Sequence, residues 1–175
     1  MVCKGKNDVH GYSYLIKRVC FGKQLKPKAL AGVEKMNITY SNNLSDISKE
    51  GLTDFFVGWP AHPGPKTHYK ILKNSFAVWL AIDGDRCVGF INALSDSIFY
   101  SYIPLLEVLP EYQGNGIGSE LVKRMIETLD KMYAIDVVCD ESVESFYKNL
   151  EFKRCVGMVK RNHRNQSGTQ LTKVL

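Results

Sequence analysis

The segment Leu106-Glu107-Val108-Leu109-Pro110-Glu111-Tyr112-Gln113-Gly114-Asn115-Gly116-Ile117-Gly118-Ser119 passes from one periodicity to another. Before it, Phe99 to Leu109 is an apolar, β-rich run with Pro104 inside it and Pro110 closing it, so that strand is expected to bend or lose pairing. After it, Ile117, Leu121, Val122, Met125, Ile126 and Leu129 fall at helical spacing and predict one amphipathic helix over 116–131. Between the two, three glycines alternate with Asn115 and Ile117. Backbone N–H groups free of Cβ shielding at the positive end of a helix dipole make a phosphate-binding geometry.

A glycine turn also serves purely to connect a strand to a helix, and other phosphate-binding motifs share glycine-rich turns. A P-loop needs Lys and then Ser or Thr after its last glycine, whereas Gly118 is followed by Ser119-Glu120. A dinucleotide fingerprint needs its third glycine three places after the second, and here the separation is two. Neither pattern fits.

Working outward, Asn37 to Ser41 alternates as a first strand, and 45–56 reads as a short helix with Ser45 as N-cap. The segment 58–65 holds three prolines and two glycines among its residues and reads as a loop, with Pro65 opening a helix to Lys73. Residues 75–82 and 86–94 are apolar runs joined by Asp83-Gly84-Asp85, a hairpin. Downstream, 134–139 predicts a short strand, 142–150 a helix, 152–159 a strand, and 169–175 a last strand closing a C-terminal hairpin.

The 175 residues fit one domain with one core, at 45% hydrophobic and 23% charged residues. No apolar run approaches the length of a membrane span, so no membrane association is expected. The five cysteines are odd in number and lack a C-x-x-C, and the four histidines lack metal-site spacing. They predict reduced thiols in a cytoplasmic protein and no bound metal. The net charge of +5 resides in residues 1–35, where eight Lys/Arg face Asp8 and Glu34, leaving 15 basic against 16 acidic side chains over 36–175. We read 1–35 as a basic arm, either a solvated tail or an extension ahead of Met36, and 36–175 as the folded domain. With no basic and aromatic clusters in the body, nucleic-acid binding is not expected.

The run Gln113-Gly114-Asn115-Gly116-Ile117-Gly118, behind a strand ending Val108-Leu109-Pro110, resembles the coenzyme A motif of the GCN5-related N-acetyltransferase (GNAT) superfamily. Some thirty residues on, Phe146-Tyr147-Lys148-Asn149-Leu150-Glu151-Phe152 is similar to that family's Phe-Tyr-x-x-x-Gly-Phe segment. The resemblance implies an α/β acyl-CoA N-acyltransferase fold: a mixed, mostly antiparallel sheet with one splayed pair of strands, flanked by helices. It further implies acetyl-coenzyme A as co-substrate and a small-molecule or peptide amine as acceptor, joined by direct attack in a ternary complex. A non-catalytic acyl-CoA-binding regulatory module is the alternative, and a homodimer through exposed strands is compatible with such sheets.

Carried over residue by residue, Leu106, Val108, Gln113, Gly114, Asn115, Gly116, Ile117, Gly118 and Ser119 would bind coenzyme A, with the Val108 amide polarising the thioester carbonyl. Asp140 stands where many relatives have a cofactor-contacting asparagine. Tyr147 matches the tyrosine that protonates the departing thiolate, a role suited to a phenol of ordinary pKa about 10. Glu107 is a candidate general base on the same strand. Two departures stand out: a carboxylate at Asp140, and Glu151 in place of the usual glycine, which predicts a helix exit made by Asn149 in the left-handed conformation. Pro110 offers a reason for the strand edge to open.

Overall fold

A computed structural model describes residues 36–169 of the chain. The basic arm therefore lies outside the described residues, as does the expected last strand from residue 170 onward. Five strands form one sheet in the order β1-β2-β3-β4-β5: β1 (Ile38–Ser41), β2 (Ala77–Asp83), β3 (Arg86–Ser95), β4 (Tyr100–Val108) and β5 (Ala134–Val137). The first four are antiparallel neighbours, and β5 runs parallel to β4. The α-helices are α1 (Pro65–Lys73), α2 (Ile117–Thr128) and α3 (Glu144–Lys148). No helix among the described residues is long and apolar enough to cross a membrane.

The hairpin between β2 and β3 forms as its Asp-Gly-Asp turn requires, with Asp83 paired to Arg86 and Gly84 at φ 57°. The buried stripe of α2, Ile117, Leu121, Val122 and Met125, packs on β2 and β3. Close approach there depends on Gly89, where a Cβ would lie 3.3 Å from both the Leu121 side chain and the Glu107 carbonyl. The opposite face of the sheet carries Phe90, packed edge-on against Phe55 and beside Phe56 and His68.

The splay between β4 and β5 begins at Pro104. Parallel pairing runs only from Tyr100↔Ala134 to Ile103↔Val137. At the same place, between Asn92↔Leu105 and Leu94↔Tyr102, β3 advances two residues while β4 advances three, a bulge on β4. A proline without an N–H and an extra residue together end the ladder, and Leu105 to Val108 continue with no strand pairing toward β5. Pro110, expected to open this edge, instead starts a 3-10 turn, Pro110–Tyr112.

Three further expectations are corrected. The helix expected over 45–56 is two 3-10 turns, Leu44–Asp46 and Glu50–Leu52. Short polar side chains compete for its backbone: Asn43 Oδ1 accepts from Ser45 N at 3.0 Å and Ser48 Oγ from Gly51 N at 3.1 Å. The strand expected over 152–159 is irregular, with Val156 and Met158 fully exposed. A strand needs a partner, and the expected one, 169–175, lies outside the described residues from 170 onward. After α3, Asn149 keeps helical dihedrals with φ −67°, and Glu151 itself takes the left-handed conformation at φ 68°.

Candidate active site

The turn from β4 into α2 is braced by its own polar side chains. Gln113 Nε2 donates to the Val108 carbonyl at 2.8 Å, and Asn115 Nδ2 donates to the carbonyls of Tyr112 at 3.1 Å and Gln113 at 3.2 Å. Gly114 and Gly116 sit at φ 80° and 79°, a backbone region open to glycine at little cost. A Cβ at either would meet nothing within 4 Å, so the space in front of the turn is open. With Gly116 as a cap lacking any side-chain acceptor, the first amides of α2 have no intrahelical partner and lie toward that space.

A cavity of about 210 Å³ lies over this turn. Of the cofactor-site candidates, Leu106, Val108, Gln113, Gly114, Gly116, Ile117, Gly118 and Ser119 line it, joined by Tyr112 and Phe146. Asn115 braces the turn instead, and Asp140 lies elsewhere. The lining contains no acidic side chain. Amide-rich at one end and apolar along Leu106 and Val108, it fits a diphosphate followed by an extended pantetheine arm.

The orientation of the β4 edge follows from strand alternation. Leu109 N–H donates to Val88 O on β3 at 2.9 Å. Successive residues point their amides to opposite sides, so the Val108 N–H and C=O face the open edge. The bond from Gln113 to the Val108 carbonyl agrees with this.

A second cavity, of about 400 Å³, occupies the gap between β4 and β5 and shares Leu106 with the first. Tyr147 and Asp140 line it, together with Trp59, Asn92, Cys139, Arg161 and His163. Tyr147 is 4% exposed and sits edge-on between Phe146 at 5.0 Å and Phe152 at 5.5 Å. The Cys139 thiol is pushed above its ordinary pKa, chiefly by burial and then by Glu144 and Asp140.

Glu107 occupies a different environment. It pairs across β3 with Phe90, 4% exposed, outside the walls of both cavities. Its carboxylate accepts from Phe56 N at 2.8 Å and from Val57 N at 3.0 Å. Burial raises its pKa, offset in part by those two amides and by His62. Phe56 has φ 63°, a strained value for a side chain of its size, so the carboxylate pins a strained loop that leads to Trp59.

Two buried polar residues escaped the sequence reading. His68 is 1% exposed within the rings of Phe55, Phe56 and Phe90, and Asn92 is 1% exposed on β3. For Asn92 a signal existed, a lone amide inside an otherwise apolar strand; for His68, on an amphipathic helix, none did. Among the described residues no group of three or more His, Cys, Asp or Glu is placed to hold a metal ion.

Residues 43–167 match the family model described as Acetyltransferase (GNAT) domain. The chain is 29% identical over 142 residues to GCN5-related N-acetyltransferase 2, chloroplastic, of Arabidopsis thaliana, covering 69% of this chain and 55% of that protein. It is 30% identical over 135 residues to the uncharacterized N-acetyltransferase ycf52 of Porphyra purpurea, covering 73% and 77% respectively. The chain thus spans about half the length of the Arabidopsis relative. Among solved structures, a Deinococcus radiodurans R1 protein described as an acetyltransferase superposes with TM-score 0.74 at 38% identity, covering 77% of this chain and 94% of that one.

Proposed function

Since the chain belongs to the GNAT acetyltransferase family, we propose that it transfers an acetyl group from acetyl-coenzyme A to a primary amine within a ternary complex. The observation that carries this reading is the junction at Leu106, where the cavity over the glycine turn meets the cavity holding Tyr147 along the open edge of β4.

The co-substrate supplies an activated acetyl thioester. In this reading the amides of Gly114 to Ser119 hold its diphosphate, and the braces from Gln113 and Asn115 keep them converged without reorganisation on binding. The Val108 N–H, directed to the open edge, donates to the thioester oxygen as negative charge builds there. Tyr147, at the mouth of the splay, gives its phenolic proton to the departing thiolate. The amine enters through the second cavity, forms the C–N bond as the C–S bond breaks, and loses its surplus proton toward solvent. Asp140, on that cavity's wall, is assigned to the thioester end and not to the diphosphate. Glu107, held by two amides, is assigned to positioning the loop and not to taking the proton itself.

Calorimetric titration with acetyl-coenzyme A tests this reading. Micromolar binding is expected for the unmodified protein and loss of binding for Gly116→Glu. Ser119→Glu provides a control that leaves the turn's dihedrals untouched, since a carboxylate in the first helical turn favours folding but repels a diphosphate. Thiol release in the presence of primary amines then separates an enzyme from a binding module. Absence of binding at millimolar concentration refutes the proposal.

A further inference from the structure

The orientation of Asn92 is fixed by a chain of hydrogen bonds. The Ser75 hydroxyl donates to Ile71 O at 2.9 Å, so its oxygen is left to accept, and Asn92 Nδ2 donates to it at 2.8 Å. The amide nitrogen is thereby committed to the end of α1. Asn92 Oδ1 has no hydrogen-bond partner among the described residues, although Asn92 is 1% exposed and lines the second cavity. Buried acceptors without a partner are uncommon because folding strips their water and returns nothing. One on a residue that lines a cavity is matched to a donor that arrives with a ligand.

We infer that Asn92 Oδ1 is a specificity determinant for the acceptor, taking a hydrogen bond from an N–H other than that of the nitrogen being acetylated. This rests on the acetyl-transfer reading above for what occupies the cavity. The distinction between the two nitrogens comes from register. Asn92 lies opposite Leu105, whereas the thioester end is assigned to the edge between Leu106 and Val108. With about 3.3 Å per residue along a strand and about 5 Å between strands, the two points are roughly 6–11 Å apart, further than a single amine nitrogen reaches. The class of acceptor is a primary amine bearing a second N–H donor several bonds away, with Trp59, Leu94 and Tyr102 supplying apolar wall for the carbons between them.

Two probes isolate that donor: N-(3-aminopropyl)acetamide and its N-methylamide derivative, which keeps the attacking amine and lacks only the N–H. Trp59, on the cavity wall, reports their binding by fluorescence with the free thiol form of coenzyme A present, so no turnover is needed. The unmodified protein is expected to bind the N–H probe about tenfold or more tightly, as expected for a buried acceptor left unpaired by the wrong ligand. Asn92→Leu should reduce that ratio to about one, and Asn92→Asp, which retains an acceptor and adds charge, should move the preference about tenfold toward 1,3-diaminopropane. Equal or unmeasurable binding of both probes to the unmodified protein overturns the inference, since water then satisfies Oδ1. A preference that survives Asn92→Leu also overturns it, by assigning the discrimination to the bulk of the added methyl. Discrimination by Asn92 without thiol release would uphold the hydrogen bond from a ligand's N–H to Oδ1 and defeat the acetyl-transfer reading, so the two fail separately.

Discussion

Acidification from about pH 7.5 to about pH 4 should remove about 3 kcal/mol of folding stability through one side chain, His68. Its ring is walled by Phe55, Phe56 and Phe90 at centroid distances of 5.3, 4.9 and 4.4 Å. Neither ring nitrogen has a hydrogen-bond partner of acceptable geometry among the described residues, and the Leu52 backbone offsets the burial only in part. Burial therefore lowers its pKa from 6.5 to about 4. The folded state prefers the neutral ring, so the stabilisation is fully present above pH 6.5 and is lost as pH falls toward the folded value. About two and a half pH units at 1.36 kcal/mol each, less the last fraction at the midpoint, gives about 3 kcal/mol at pH 4 and about 2 kcal/mol at pH 5.

Urea unfolding at a series of pH values, on the unmodified protein and on His68→Leu, measures this directly. The variant should be of similar stability at about pH 7.5 and about 2 kcal/mol more stable than its parent by about pH 5. Glu107, whose pKa is raised by burial, acts with the opposite sign above its ordinary value of 4.5, but both proteins carry it and the difference cancels it. Parallel stability curves, with a gap that stays constant to within about 0.5 kcal/mol, would refute the reasoning. Because the cage includes Phe56, whose amide bonds Glu107, charging His68 should also loosen the loop that brings Trp59 to the second cavity.

Tyr147→Phe should lower the acetyl-transfer rate about 100-fold or more while leaving coenzyme A affinity within about twofold. An acetyl thioester of an acidic aryl thiol, whose thiolate leaves without help, should recover most of the rate, and failure to recover it would remove the proton-donor role. Glu107→Gln should turn one buried carboxylate oxygen into an NH2 facing a backbone N–H, a loss of about 1–3 kcal/mol. For a domain of this size that lowers Tm by roughly 3–10 °C in a thermal scan. An unchanged Tm with a collapsed rate would instead make Glu107 the base.

The glycine turn was readable because its signals are local: glycine where the backbone turns left-handed, asparagine and glutamine where short bonds brace it, and an apolar stripe immediately after. The two prolines marked a strand that bends or loses pairing, but the opening was expected at Pro110, whereas the ladder ends at Pro104. What the sequence concealed depends on partners distant along the chain. Glu107 reads as a charge at a strand end, and only folding brings it to the amides of Phe56 and Val57, about fifty residues away. The segment 45–56 has helical spacing of Ile47, Leu52, Phe55 and Phe56, yet only Leu52 reaches the core from a 3-10 turn, and the other three do so from irregular chain. Burial fixed which side chains point inward, and local Ser and Asn bonds fixed the backbone that carries them.

The two faces of the sheet divide the chemistry. Gly89 and Val108 lie on the face covered by α2, where the glycine turn and its cavity are. Phe90 and Glu107 pair on the opposite face, beside His68 and the loop to Trp59, and Asn92 bonds the end of α1. A continuous sheet would keep determinants for a nucleotide and for an amine on separate sides. Reaction between them requires an opening, and β4 has one from Pro104 onward, where β5 departs and Leu106 becomes a wall common to both cavities. The proline that breaks the ladder is, on this reasoning, as necessary to the proposed activity as the glycine turn assigned to the cofactor.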